Sequence, residues 1–436
     1  MRTSYLVPAA LCFQSFFSDA TAALTFVPMS ESELVAASDV IVVGVVADIV
    51  PNLPATSGGV PLLETVVTLR VGQSLKAFAP QHLNVGIPGG EYGNVRRTVF
   101  GAPNFFLGER VLLFLRHRPD GSLAPVGLSL GKYTVFQRGG VDVVRPQVAT
   151  SAEVQSLRLD AESPAAFSAS LQDETLEAVM RRLMVHAKQS SPYLPIVTPT
   201  RPRQNSRFFT FVGPPYARWF EPSFGLPVVF SLVPNGDASL SPEQATRAVE
   251  LAAAAWSSAG TPLSVAISVA GEPAPFRGCD GQSTIQFGDP YDEIGPPVGC
   301  KGVLAVGGFC STVTNAATTS MGETVYRITE GDVTVNDGFS GCRYWTVQNI
   351  AEVVTHELGH AIGLGHSSEL FPEPNTVLAT ATMYYLAHFD GRGAALREDD
   401  VAGARALYGT RARNIPTRPA LRRPRPLPKR RIIRNR

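Results

Sequence analysis

Three of the seven histidines in this chain lie in one short segment, His356-Glu-Leu-Gly-His-Ala-Ile-Gly-Leu-Gly-His366. His356 and His360 are four residues apart, which places their imidazoles on the same face of a helix. One helix face cannot offer three well-placed histidines, so Gly363 is expected to take a positive φ and turn His366 back toward the other two. The segment therefore predicts a buried, rigid helix that ends in a sharp turn.

Three imidazoles that meet at one point predict a zinc site with a fourth position left for water. Zinc lowers the pKa of such a water and polarises a bound carbonyl. Glu357 is then predicted to be the general base that takes the proton of the water and passes it to a leaving amine. The alternative, in which the histidines only pack or bind adventitious metal, is disfavoured because Gly363 and His366 stand at the required spacing.

This segment, followed by Met383, resembles the metzincin signature and is most similar to that of the matrixins. The supporting stretches are Gly302-Val-Leu-Ala305, Asp332-Val-Thr-Val-Asn336, Ser367, Thr382-Met-Tyr384 and the run from Glu398 to Gly409. The resemblance covers about residues 207–410. It implies a zinc peptidase with a cleft between a sheet-bearing upper part and a smaller lower part, with Met383 as the hydrophobic floor beneath the ligands.

Several features depart from a typical matrixin. Sixteen residues separate His366 from Met383, a long interval that predicts a remodelled wall of the specificity pocket. There is no Pro-Arg-Cys-Gly segment, and no cysteine lies between residues 24 and 278, so latency through a cysteine on the zinc is unsupported. A histidine-bearing structural zinc loop is also missing from the sequence. Calcium is compatible with the family, but no residue is assigned to it.

Two other residues near Met383 invite a role at the zinc. In astacin-like and serralysin-like relatives a tyrosine two residues after the methionine supports the oxyanion, and Tyr385 stands at that offset. The favoured interpretation is nevertheless that Tyr385 is a core aromatic. His388 is interpreted as a loop histidine, because three histidines and a water already complete a catalytic zinc site.

Four cysteines, Cys279, Cys300, Cys310 and Cys342, crowd into one segment ahead of the histidine helix. We expect them to form two disulfides that pin long loops in an oxidising compartment. Three pairings are possible, and Cys279–Cys300 with Cys310–Cys342 is the one favoured here. No CxxC spacing occurs, which argues against a structural zinc knuckle.

The N-terminus has the pattern of an export signal over residues 1–23. Arg2 supplies the positive charge, Leu6 to Phe17 is largely apolar, and small residues follow up to Ala23. Later in the chain no stretch approaches the ~20 apolar residues of a membrane helix. The expectation is a secreted, extracellular protein without a membrane span.

The rest of the chain divides into four regions by composition. Residues 24–148 alternate β-branched runs with Gly and Pro clusters, which predicts a small all-β barrel or sandwich of unknown role after one short capped helix. Residues 149–206 form a connector with a helix near Asp173–Lys188 and a Pro/Ser/Thr-rich linker. Residues 207–410 have an α+β pattern, and residues 411–436 form a Pro/Arg-rich tail.

In the α+β region, helices are predicted from Pro242 to Ser257, from Thr346 through the histidines, and from Glu398 to Tyr408. Strands are predicted at residues 226–232, 263–269, 283–287, 303–306 and 332–336. The fold class is therefore α+β, a metzincin-like catalytic domain preceded by a small all-β module.

The net charge of +1 conceals an uneven distribution. The tail holds 11 of the 38 Lys and Arg residues and none of the 37 acidic residues, so the body is acidic. A solvated, disordered tail is the simplest interpretation, and binding to anionic surfaces is the functional alternative. Nucleic acid is not expected as a partner, because no aromatic residues interleave the arginines.

The sequence thus predicts a secreted zinc endopeptidase that acts on protein or peptide substrates. One alternative is a secreted binding or adhesion protein that uses the peptidase-like domain as a scaffold, although a dead site has no need of Glu357. A second is a zymogen whose N-terminal module occludes the cleft.

Overall fold

The computed structural model describes residues 25–52, 63–147, 174–188, 209–213, 215–233, 239–269, 279–289, 292–319 and 322–410. The predicted export signal, the Pro-rich linker and the basic tail lie outside these ranges.

The first part of the chain is built mainly from strands, as predicted. Its elements are β1 (Thr25–Val27), α1 (Glu31–Ala37), β2 (Val40–Asn52), β3 (Glu64–Lys76), β4 (His82–Pro88), β5 (Gly90–Tyr92), β6 (Val95–Val99), β7 (Arg110–His117), β8 (Leu123–Pro125), β9 (Lys132–Arg138), β10 (Val141–Pro146), β11 (Glu174–Thr175) and α2 (Leu176–Lys188). The Ser30 hydroxyl and the Glu33 carboxylate cap α1 reciprocally, which confirms the predicted helix start.

Eight of these strands form one sheet in the order β11-β10-β9-β7-β2-β3-β4, with β8 paired to β7. Alternate residues of β2 point to opposite faces, so Ile41 and Val43 join one apolar cluster while Val40 and Val42 join another. The sheet curls until β4 contacts β8, in keeping with the barrel or sandwich pattern. Helices α1 and α2 contact each other beside this sheet.

The second part is a mixed α+β unit, which confirms the predicted class. Its elements are β12 (Tyr216–Arg218), β13 (Val228–Leu232), α3 (Pro242–Ser257), β14 (Val265–Val269), β15 (Thr284–Phe287), β16 (Gly302–Thr318), β17 (Thr324–Val335), α4 (Val347–Ala361), α5 (Thr376–Ala379) and α6 (Glu398–Tyr408). These strands form a second sheet, in which β14, β13, β15 and β17 lie side by side in that order and run parallel, whereas β16 is antiparallel to β17.

Helices α3 and α4 pack together against this second sheet. Ser241 caps α3 and Thr346 caps α4 at the predicted residues. The fully buried Trp256 of α3 donates its indole N–H to the carbonyl of Thr355 at 2.8 Å, so its one polar atom is satisfied inside the core. This packing holds the histidine-bearing helix rigidly beneath the sheet.

The two parts are joined by strand pairing that the sequence pattern did not predict. Strand β1 pairs antiparallel with the first residues of β16, matching Thr25 with Ala305, and β6 pairs with the middle of the same edge, matching Val99 with Gly308. Both β5 and β6 therefore extend the second sheet instead of the first. The outer edge of β16 is thus covered by strands from the N-terminal part.

The favoured cysteine pairing is wrong. The disulfides are Cys279–Cys310 and Cys300–Cys342, each with a Cα–Cα distance of 5.7 Å. Cys310 pairs across the sheet with Glu330, whose carboxylate accepts from the Gly281 amide, so the segment after Cys279 is drawn to the middle of β16. Cys300 lies before the start of that strand, roughly 30 Å from Cys310 along an extended chain, which is too far for it to reach Cys279 there. It bonds instead to Cys342, in the loop before α4.

No helix within the described ranges is long and apolar enough to cross a membrane.

Candidate metal centre

The three histidines of the sequence motif converge in the structure. The Nε2 atom of His356 lies 2.9 Å from that of His360 and 3.1 Å from that of His366. Among the described residues they are the one group of three or more His, Cys, Asp or Glu side chains whose ligand atoms converge in this way. All three imidazoles are buried. The structure therefore brings together the ligand set that the sequence predicts.

Hydrogen bonds to backbone carbonyls fix the tautomers of two of these rings. The Nδ1 of His356 donates to the carbonyl of Thr382 at 2.7 Å, and the Nδ1 of His360 donates to that of Leu364 at 2.8 Å. A carbonyl can only accept, so each Nδ1 carries the proton and each Nε2 presents a lone pair. Lone pairs this close repel one another unless a cation lies between them.

The donor set fits zinc. Three nitrogen ligands at about 2.0–2.1 Å from one ion would be separated by roughly 3.3 Å in a tetrahedral arrangement, close to the distances seen here. Burial lowers the pKa of His356 and of His366 to about 3, and it also lowers that of His360. Neighbouring imidazoles add to the lowering of the pKa at His356 and His360. The imidazoles are thus neutral at physiological pH, which is the state that binds metal.

Helix α4 ends where the motif predicts. Gly363 has a φ of +100°, and a Cβ placed on it would lie 2.3 Å from the carbonyl oxygen of Ala217. Glycine is therefore required twice, for the left-handed backbone and for the close approach of β12. The turn sends the chain back so that His366 reaches the other two rings from a different direction.

Met383, which the resemblance implied as the floor beneath the ligands, packs against the histidine-bearing helix. It is buried, and a Cβ on Gly359 of α4 would lie 2.2 Å from its sulfur, so the helix and the methionine pack at contact distance. The Asp400 carboxylate of α6 accepts from the amides of Thr382 and Met383, both at 2.9 Å. Asp400 therefore anchors the turn that carries Met383 to helix α6.

Glu357 is buried beside the ligands, and its surroundings are unusual for an acid. Burial raises its pKa to about 8, against hydrogen bonds from Thr25 and from the backbone of Gly307 that lower it. Its Oε1 accepts from the Thr25 hydroxyl at 2.5 Å, and its Oε2 has no partner among the described residues. The carboxylate thus contacts both β1 and β16, and the hydrogen-bonding capacity of its Oε2 is not used by these strands.

Phe100, just after β6, covers the site on the side of His360. Its ring stacks on His360 with centroids 4.0 Å apart and an angle of 4° between the planes. Its amide donates to the carbonyl of Gly307 on β16 at 2.9 Å. Neither Thr25 nor Phe100 was predicted as a site residue, because no motif or spacing links them to histidines that lie more than 250 residues later.

Tyr385 and His388, the two other residues considered for a role at the metal, lie in different places. Tyr385 is buried, with its ring centroid 6.2 Å from that of His366, so it lines the site without defining a role. The Nε2 of His388 donates to the carbonyl of Ala379 at 2.8 Å, and its Nδ1 lies 3.3 Å from the Glu352 carboxylate. It stands apart from the metal centre, in line with its interpretation as a loop histidine.

The structure thus groups three buried imidazoles, from a helix and the turn that follows it, with an adjacent buried glutamate. Residues 227–409 match the matrixin family. This region of the chain is a matrixin-like metzincin domain, which confirms the resemblance, and the family is one of zinc-dependent metallopeptidases.

Individual relatives agree with the family match. Matrix metalloproteinase-20 of Homo sapiens is 30% identical over 178 residues, which are 40% of this chain and 29% of that protein. Matrilysin of Rattus norvegicus is 38% identical over 79 residues, 17% of this chain and 26% of that protein. Matrilysin of Homo sapiens is 38% identical over 64 residues, 15% of this chain and 21% of that protein. The chain thus spans less than a third of the length of these relatives.

Proposed function

We propose that this protein is a secreted zinc-dependent endopeptidase with protein or peptide substrates. The observation that carries the proposal is the convergence of three neutral imidazoles beside a buried glutamate. His356, His360 and His366 would hold the ion, and the site fits zinc in donor type and spacing. When bound, zinc supplies a Lewis acid that polarises the scissile carbonyl and lowers the pKa of water.

Glu357 is the residue that we assign to proton transfer. Its unpartnered Oε2 lies in the buried site next to the ligands, where a carboxylate can accept a proton from water and hand it to the leaving amine. Tyr385 would line the pocket, and support of an oxyanion by its hydroxyl is the finer proposal for it.

Secretion is proposed on two grounds. The N-terminal sequence has the charge and apolar pattern of an export signal. The two disulfides of the catalytic domain, Cys279–Cys310 and Cys300–Cys342, are of the kind that persist in an oxidising compartment. The alternative of a non-catalytic binding protein is less favoured, because the ligands, the base and the methionine turn are all retained.

The test compares two proteins at equal zinc content, one with Glu357 intact and one with Glu357→Gln. Thr25 contacts Glu357 in the intact protein, so both forms also carry Phe26→Asp, a change meant to displace β1. We expect zinc near one per chain in both proteins, and hydrolysis of an unfolded protein substrate that falls about 1,000-fold without the carboxylate. Full zinc with equal rates in the two proteins would contradict the proposed function.

A further inference from the structure

The edge of β16 beside the metal centre is where an extended peptide could add to the sheet, and the chain itself already occupies it. Residues Thr25–Val27 pair with Gly302–Ala305 on one side, and Phe26 bridges in parallel to Leu386 on the other. The strand is thus held between the sheet edge and the segment after Met383. Addition of a strand to an open edge is a general way to bind an extended peptide.

The side chains of this strand close the site. The Thr25 hydroxyl donates to Glu357, and Thr25 itself is 1% exposed. The Phe26 side chain, 2% exposed, packs with its ring centroid 6.0 Å from that of Tyr385. With β1 in place, Glu357 is 0% exposed, so neither a substrate carbonyl nor bulk water can approach it.

The hairpin of β5 and β6 covers the next stretch of the same edge. β6 pairs with β16 from Gly308 to Thr312, and Phe100 then lies flat on the His360 ring. Two separate stretches of the N-terminal part, about 70 residues apart in sequence, therefore meet over one metal centre. Ordinary packing between two domains would not require both to end on the ligands and the base.

Ion pairs and apolar contacts hold this cover in place. Arg97 of β6 forms a buried bidentate pair with Glu293 at 3.0 and 3.1 Å, Arg116 pairs with Asp292, and Glu33 pairs with Lys301 at 3.0 Å. One apolar cluster is shared between the two parts, with members including Phe26, Leu34, Ile294, Val303, Tyr385 and Leu386. Bidentate, desolvated pairs of this kind fix one docking geometry.

We infer that the N-terminal module is a built-in inhibitor that keeps the metal centre latent, with β1 in the position of a substrate strand and Phe100 on His360. This latency needs no cysteine on the metal. It rests on the proposed function for what is inhibited, while the cover itself is tested by ligand binding instead of turnover. The peptidase becomes active when β1 leaves the β16 edge.

The experiment measures binding of a fluorescent peptide hydroxamate, a zinc ligand, to the full zinc-loaded chain. If the covered form outnumbers the open form by about 100 to one, apparent affinity is reduced about 100-fold. Phe26→Asp places a charge in the apolar cluster and should raise the affinity at least about tenfold. Phe78→Asp is the matched control, since Phe78 lies in the same module and is 92% exposed, and it should bind as weakly as the wild type.

Phe100→Ala is a second route to the same result and serves if Phe26→Asp does not fold. The inference is overturned if the wild type binds the hydroxamate as tightly as these variants. It is equally overturned if a folded, zinc-loaded Phe26→Asp or Phe100→Ala protein binds it as weakly as the wild type. Tight binding by the variants without any peptide hydrolysis would instead refute the peptidase function and leave the cover standing.

Discussion

The two regions of this metal centre are built in opposite ways. We call the three histidines and Glu357 the floor of the site, and the strands β1 and β6 that cover it the rim. The floor is local: two ligands and the base lie within one turn and a half of α4, and the third ligand follows after Gly363. The rim is assembled from afar, since β1 and β6 reach β16 from more than 200 residues earlier in the chain. Binding of the metal and access to it are therefore set by separate parts of the chain, and we expect that each can be altered alone.

The largest expected effect concerns the floor. His360→Ala removes a ligand, so we expect zinc affinity to fall by more than the 10–100-fold typical of losing an outer hydrogen-bond partner. His388→Ala is the matched control, because His388 bonds to Ala379 and Glu352 away from the site. Zinc titration of both proteins measures the difference, and equal losses would mean that the triad is not the site.

The floor could be predicted from the sequence and the rim could not, for a physical reason. Helical spacing fixes which face His356 and His360 share, and a glycine at 363 permits only a narrow set of turns. Pairing of β1 with β16 depends instead on which edge remains open after the whole sheet has formed. The tripeptide Thr25-Phe26-Val27 carries no pattern that selects that edge.

The same limit applies to the disulfides and to smaller elements. The positions of Cys300 and Cys310 were known, but their partners depend on how far β16 extends, and the strand is much longer than the predicted residues 303–306. By contrast, α3 and α6 match their predicted bounds, because Ser241 and Gly409 mark their ends in the sequence. Local signals were sufficient for helices and insufficient for long-range strand contacts.

The rim should be weakened by breaking its buried ion pair. Arg97→Met leaves Glu293 without its bidentate partner, and loss of one member of a buried pair costs about 3–5 kcal/mol. The neighbouring Arg96 pairs with the half-exposed Glu91, so Arg96→Met is the control and should cost less than about 1 kcal/mol. Chemical denaturation gives both free energies of unfolding, and similar values would show that the rim is not held by Arg97.

A smaller effect is expected at the turn between the second and third histidines of the floor. Gly363→Ala forces a side chain against the Ala217 carbonyl and keeps a positive φ, which should cost about 2–3 kcal/mol and shift His366. Gly391→Ala has a similar φ of +88° but its nearest contact is 3.9 Å away, so it reports the backbone cost alone, about 1 kcal/mol. Thermal unfolding and zinc titration check the pair, and a zinc affinity unchanged in Gly363→Ala would speak against the turn as the device that places His366.

The smallest expected effect is a pH dependence of the free energy of unfolding, which arises on β17. Burial raises the pKa of the neighbouring Glu330 and Asp332 carboxyls above their ordinary values, and the charge of Asp332 adds to the rise at Glu330. The folded protein therefore holds more protons than the unfolded chain from about pH 5 upward, and its stability should fall as the pH rises through the raised pKa values. Glu330→Gln should flatten this slope in unfolding measurements from pH 5 to 9, whereas Glu91→Gln at the surface should not. An unchanged slope in Glu330→Gln would contradict the assignment.

The proposed latency and the proposed role of Glu357 are tested together by the initial rate at which four proteins, at equal zinc content, hydrolyse one unfolded protein substrate. These are the wild type, Phe26→Asp, Glu357→Gln and the double variant. We predict that Phe26→Asp alone is highly active, because only that chain has both an open rim and an intact base. Full activity in the wild type would contradict the cover, and activity in the double variant equal to that of Phe26→Asp would contradict the role of Glu357.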